Sequence, residues 1–200
     1  MNLLAVDTST EACSAALWLD GSLLERHALT PADHGRHILA MIEALLAEAG
    51  TAPAALDGLA FGRGPGGFTG LRIAAGVVQG LALGWDLPVA GVSSLAALAQ
   101  GAMRERGVGS VLAAIDARMQ ELYWGAFQAG GDGGAVACGE EQLAAAAAVR
   151  LPEKGRWWGC GSGWAAAGET LAQRLGARLE GLEPQRSPRA ADVAALAVRE

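Results

Sequence analysis

Lysine occurs once in the 200 residues, at Lys154, and every other basic residue apart from the histidines is an arginine. Chemistry that needs a lysine elsewhere, such as a P-loop lysine on a phosphate or a Schiff base, is thereby excluded. Clustered positive charge is also missing: the net charge is −6 and the arginines are spread along the chain. A protein that grips a phosphate backbone unaided gathers Lys and Arg on one face, so tight autonomous binding of nucleic acid is not expected. The three cysteines, Cys13, Cys138 and Cys160, have neither metal-ligand spacing nor a disulfide pattern and read as small buried hydrophobes. The opening apolar run, Leu3 to Val6, is too short for a signal core or a membrane span and has no basic segment before it, so the chain reads as cytoplasmic. No nucleophile–base pair emerges either, because the histidines all fall between 27 and 37 with no elbow motif nearby.

What is present is apolar. Hydrophobic residues make up 52% and charged residues 18%, enough for one large domain or two small lobes with real cores. Leu3 to Val6 reads as a buried strand ending in Asp7. Residues 12–19 and 22–29 follow as a hairpin turned at Asp20-Gly21. Thr30-Pro31-Ala32-Asp33 breaks the sheet, and Asp33 is placed to cap a helix through Ala49, whose Ile38, Met41, Ile42, Leu45, Leu46 and Ala49 form an apolar stripe. A strand at 59–62, a glycine-rich loop, a helix at about 69–83, a strand at 89–92 and a helix capped by Ser93 complete the first half. The segment 107–110, flanked by Gly107 and Gly109, is the expected boundary, giving lobes 1–108 and 109–200. The second half then repeats the opening, since Leu112-Ala113-Ala114-Ile115-Asp116 matches Leu3-Leu4-Ala5-Val6-Asp7 and a second strand follows each. An alanine-rich helix at 140–149, a strand at Trp157-Trp158, a helix from Trp164 and a last helix begun by Ser187-Pro188 are expected after it. Tryptophans 18, 85, 124, 157, 158 and 164 read as core or interface anchors.

The stretch from Gly62 to Arg72 is the most unusual. It joins a strand to a helix, where backbone N–H groups can cradle an anion, yet it fits neither a Walker loop nor a GxGxxG fingerprint. A tight connection needing positive φ at several glycines explains it equally well. The helix after it carries Gly76, Gly80 and Gly84, one per turn. Interior glycines cost about 1 kcal/mol each relative to alanine, so close approach of another helix is the natural compensation. His34 and His37, three apart, lack a third metal ligand and read as solvent-facing or capping residues. Asp7 and Asp116, at strand ends, are candidates for catalysis or Mg²⁺ contact, or simply turn carboxylates.

Together, residues 7–14, His34 ahead of a helix, the 62–72 run, Gly91-Val92-Ser93-Ser94-Leu95 and Asp116-Ala117-Arg118 before Glu121-Leu122-Tyr123 resemble the TsaB (YeaZ) family, over residues 1 to about 165. The resemblance implies an α/β, actin-like (ASKHA, ribonuclease H-like) duplicated fold of two lobes. It further implies a non-catalytic paralogue of TsaD that binds TsaD, and with it TsaE, in making tRNA threonylcarbamoyladenosine. The partner surface it implies is His37, Met41, Leu45, Ile73, Gly76, Val77, Gly80 and Leu81. Asp7, Arg63, Gly64, Gly66, Gly67, Thr69 and Arg72 would form an interface or nucleotide loop. ATP or ADP with Mg²⁺ at that interface is compatible, and no cofactor is required by the chain itself. A homodimer is an option without TsaD, and tRNA is reached only through the complex. The resemblance also implies that longer members of the family continue past the last helix with a Pro-x-Tyr-x-Arg-like segment, before which this sequence ends. Two other readings stay open: an ATP-dependent enzyme of actin-like fold using Asp7 and Asp116, and a metallopeptidase, against which the histidine spacing argues.

Overall fold

In the computed structural model, which describes residues 1–29 and 33–199, the first apolar run becomes a central strand, β1 (Asn2–Asp7). It pairs antiparallel with β2 (Ala12–Leu19), which pairs with β3 (Ser22–Leu29). On its other side β1 runs parallel to β4 (Gly58–Gly62), and β4 to β5 (Val89–Val92), giving the order β3-β2-β1-β4-β5. The β2–β3 turn is made by Asp20 and Gly21, both with positive φ, as a two-residue hairpin requires.

β1 does not alternate because both its faces are covered. Leu4 and Val6, with Cys13, Ala15 and Leu17, pack beneath α1 (His34–Ala49) and α2 (Phe68–Trp85). Leu3 and Ala5 pack against Ala191, Val193 and Ala194 of α5 (Ala190–Ala197). Burying each such leucine or valine contributes about 1.5–3 kcal/mol. Of the expected stripe on α1, Ile38, Ile42 and Leu45 are buried, and Met41, Leu46 and Ala49 pack at its margin. Gly50 closes α1 in the left-handed conformation that glycine adopts without penalty. Ser93 starts α3 (Ser94–Arg106), its Oγ accepting the Leu95 and Ala96 amides.

The second sheet repeats this plan. β6 (Ser110–Asp116) pairs antiparallel with β7 (Glu121–Ala129) and parallel with β10 (Trp157–Cys160), which pairs with β11 (Leu179–Glu183). β8 (Ala135–Ala137) and β9 (Gln142–Ala145) share the outer edge of β7. The order β8-β7-β6-β10-β11 is that of the first sheet, strand for strand. α4 (Ser162–Leu175) covers a core of Trp124, Trp157, Trp164, Leu112 and Leu171.

The chain divides between Ala97 and Leu98, and the segment from Pro188 returns to the first unit, whereas the sequence suggested lobes of 1–108 and 109–200. Residues 140–149 are not a helix: 142–145 form β9 and 146–148 a turn. Alanine's helix propensity of a few tenths of a kcal/mol per residue is outweighed by main-chain pairing with the open edge of β7. α5 begins at Ala190, after the expected Ser187-Pro188 start. Its first amides are held from the sheet, Ala190 by Ser14 Oγ and Ala191 by the Glu25 carboxylate. Cys138 is exposed and only Cys13 and Cys160 are buried. The expected sheet break at 30–33 has residues 30–32 outside the described residues. Asp33 occupies the N-cap position of α1 without a side-chain capping bond.

Candidate functional site

The 62–72 loop is shaped by how closely it approaches the end of β1. A Cβ on Gly62 would lie 1.8 Å from Asp7 Oδ2, one on Gly66 2.2 Å from the Ser9 carbonyl oxygen, and one on Gly70 1.9 Å from the Thr8 carbonyl oxygen. Each of these positions therefore excludes any side chain. Only Gly64 in this stretch has positive φ, at 100°, so the glycines serve close contact, not the several left-handed turns expected of them. Three main-chain hydrogen bonds lace the loop down: Gly67 N–H to Ser9 O at 2.7 Å, Ser94 N–H to Gly64 O at 2.8 Å, and Arg63 N–H to Val92 O at 2.8 Å. The Thr8 hydroxyl adds a fourth, donating to Gly70 O at 2.7 Å.

Asp7 is wholly buried. Its Oδ1 accepts the Ser9 amide at 3.0 Å and the Ser9 hydroxyl at 2.8 Å, while Oδ2 has no partner. Burial pushes its carboxyl up to about 6, against the pull of the two Ser9 hydrogen bonds. Beneath the loop, the Asp7 side chain is shielded from solvent. Of the other loop residues, Arg63 and Thr69 are exposed, and Arg63 Nε donates to Gly91 O at 3.0 Å. Arg72 stacks over the Phe68 ring at 3.7 Å, a cation–π pair on its own helix. Of the two histidines read as solvent-facing or capping, His34 is 7% exposed and His37 is exposed. Among the described residues no group of three or more His, Cys, Asp or Glu is arranged to hold a metal ion.

The two helices beside the loop present a different surface. A Cβ on Gly76, Gly80 or Gly84 would meet nothing within 4 Å, so among the described residues no helix fills the stripe. Leu83 is 88% exposed beside it, with Phe68 at 68% and Leu39 of α1 at 47%. Ile73, Val77 and Leu81 pack partly on the first core, as does Met41. Leu45 is 1% exposed and belongs to the interior, so it cannot form part of a surface as the sequence suggested.

In the second unit Asp116 takes the place of Asp7 but stays accessible, lining a groove of about 300 Å³ with Gln120, Glu121 and Thr170. Its Oδ1 accepts the Arg118 amide at 2.9 Å. Arg118, Met119 and Gln120 all have positive φ, a strained run that nothing in the sequence announced.

The family model described as TsaD, tRNA N6-adenosine threonylcarbamoyltransferase, matches residues 28–176. The tRNA threonylcarbamoyladenosine biosynthesis protein TsaB of Escherichia coli is 47% identical over 83% of this chain and 73% of its own length. The chain belongs to the TsaB (YeaZ) family. The TsaB of Haemophilus influenzae is 51% identical over 62% of this chain, a match spanning about half (52%) of that protein. A solved structure of YeaZ from Pseudomonas aeruginosa, 46% identical, superposes with a TM-score of 0.92 over 99% of this chain and 91% of that one. More remote is component A of (R)-2-hydroxyglutaryl-CoA dehydratase from Acidaminococcus fermentans, 10% identical, TM-score 0.55, covering 98% of this chain and 97% of that one. It shares the fold alone, which is the duplicated actin-like one.

Proposed function

We propose that this chain is a non-catalytic scaffold subunit in tRNA threonylcarbamoyladenosine biosynthesis, acting in the cytoplasm by binding TsaD and, with it, TsaE. The pathway is the one named for its TsaB relatives. The observation that carries the docking role is the glycine-striped face of α2, open and flanked by exposed Leu83 and Phe68. Glycine in a helix interior weakens it unless something comes close, and among the described residues nothing does. A partner helix laid into that stripe would meet backbone at short range and bury the apolar side chains, in an interface of about 1,600 Å² if of standard size. His37, Met41, Ile73, Val77 and Leu81 border it. The 62–72 loop stands at its edge, with Arg72 placed to meet a phosphate there if released from Phe68. A second copy of the chain is the alternative occupant when TsaD is absent.

Gly80→Leu places a branched side chain in the middle of the stripe without touching the chain's own core. Calorimetric titration with TsaD should then lose its signal, while thermal unfolding stays cooperative. Unchanged affinity would move the interface elsewhere. Titration of the wild-type chain with Mg-ATP, followed for hydrolysis, separates this reading from an autonomous ATP-dependent enzyme.

A further inference from the structure

Two buried polar atoms, one at the end of β1 and one at the start of α3, have no use in the scaffold role. Asp7 Oδ2 and Ser94 Oγ both lack hydrogen-bond partners, and both face Gly62, lying 1.8 Å and 3.4 Å from where its Cβ would stand. An unpartnered buried carboxylate oxygen is costly when charged and far less so when it carries a proton. The groups that face it are all uncharged: Ser9 from its own turn, Gly62 of β4, Ser94 of α3 and Ser14 of β2, whose hydroxyl lies 3.5 Å from the Asp7 carbonyl oxygen. From α1, His34 is the titratable side chain at the loop: it lies against Gly70, 3.9 Å from where its Cβ would stand. Among the described residues no cation neutralises Asp7, so solvent or a proton must.

We propose that the Asp7–Gly62–Ser94 contact is a proton-operated clasp on the 62–70 loop. With the proton on, the loop lies shut on β1 through Gly67 N–H to Ser9 O and Ser94 N–H to Gly64 O. With it off, the unpaired carboxylate favours loop opening, because opening lets water reach Oδ2. Since the loop leads directly into Phe68 and Thr69 at the head of α2, the clasp governs how firmly that head is anchored. The sign follows from linkage. Burial raises the carboxyl to about 6, above its ordinary value near 3.9, so the closed state is favoured most below about pH 4. That extra stability declines as pH rises and is gone once pH has passed 6.

The experiment is carbonyl-detected NMR on the intact chain, following the Asp7 carboxyl carbon from pH 4 to 8 together with exchange protection of the Gly67 and Ser94 amides. The carboxyl should titrate near 6, and the two protection factors should fall by about a hundredfold between pH 4 and pH 7. In Asp7→Asn, which keeps the shape without the charge, both factors should be level with pH. A carboxyl midpoint in the ordinary range would overturn the clasp. So would loop protection with the same pH course in wild type and Asp7→Asn. Should that variant not fold, the wild-type chain still decides: protection that holds level while the carboxyl titrates is equally fatal.

Discussion

The two halves of this molecule use one topology to make opposite kinds of turn. Each begins with a central strand that ends in aspartate, Asp7 in β1 and Asp116 in β6, and each then doubles back into an antiparallel partner. In the first, the residues after the aspartate are sealed under a glycine-rich loop, and Asp7, Thr8 and Ser9 are all buried. In the second, the turn stands in solvent with Met119 93% exposed, and its backbone is left-handed at three successive non-glycine residues. The duplicated strands show what the fold requires. The divergent turns show what each copy was left free to do with the same aspartate.

If the first turn is held by contact distance, the largest effect comes from a single methyl group placed there. Gly70→Ala sets a Cβ 1.9 Å from the Thr8 carbonyl oxygen, a clash with backbone that no side-chain rotamer relieves. We expect a loss of about 3 kcal/mol or more, read as a drop in the denaturant midpoint. A variant as stable as wild type would mean that the loop does not press on β1 and that the contrast between the halves is not one of packing.

Much of this contrast was half legible in the sequence. The repeated strand–Asp pattern and the Asp20-Gly21 turn were plain because each rests on local rules. The density of glycine between 62 and 70 marked a special segment, but its reason lay in residues 7–9, more than fifty positions away, and spacing cannot reveal a contact of that range. The same limit hid the start of α5, which is capped by Ser14 and Glu25 from the sheet instead of by Ser187. It also hid the fate of Ala144 and Ala145, where alanine propensity lost to the edge of β7, with 146–148 left as a turn. For the candidate site, the α2 stripe was visible as periodic glycine. That Leu45 points inward and that Asp7 is sealed depended on tertiary packing.

The second half secures its loops by a different device. Arg174 of α4 donates to the main-chain carbonyls of Ala146 and Val149, and Arg178 to that of Pro152. These guanidiniums tie down the segment that sequence propensity would have made helical. Arg174→Ala should cost about 2 kcal/mol, since charged hydrogen bonds of this kind are worth about 1.5–3. Unfolding monitored by tryptophan fluorescence is well suited to it, because Trp124 and Trp164 lie in the same core with ring centroids 5.9 Å apart. Loss near zero would show the segment to be held by β9 pairing alone.

The smallest effect tests the strain itself and should carry the opposite sign. Left-handed backbone costs an ordinary residue roughly 1 kcal/mol, whereas glycine adopts it freely. Met119 has φ of 48° and contributes no core contact at 93% exposure. Met119→Gly should therefore stabilise the chain, by about 0.5 kcal/mol once the extra entropy of glycine in the unfolded state is set against the relief. An equivalent gain is closed to the glycines packed on the first turn, Gly62, Gly66 and Gly70, where substitution can only add atoms to a space already filled. Destabilisation by Met119→Gly would mean that the methionine side chain supports the turn, and the second half would then resemble the first more closely than its exposure suggests.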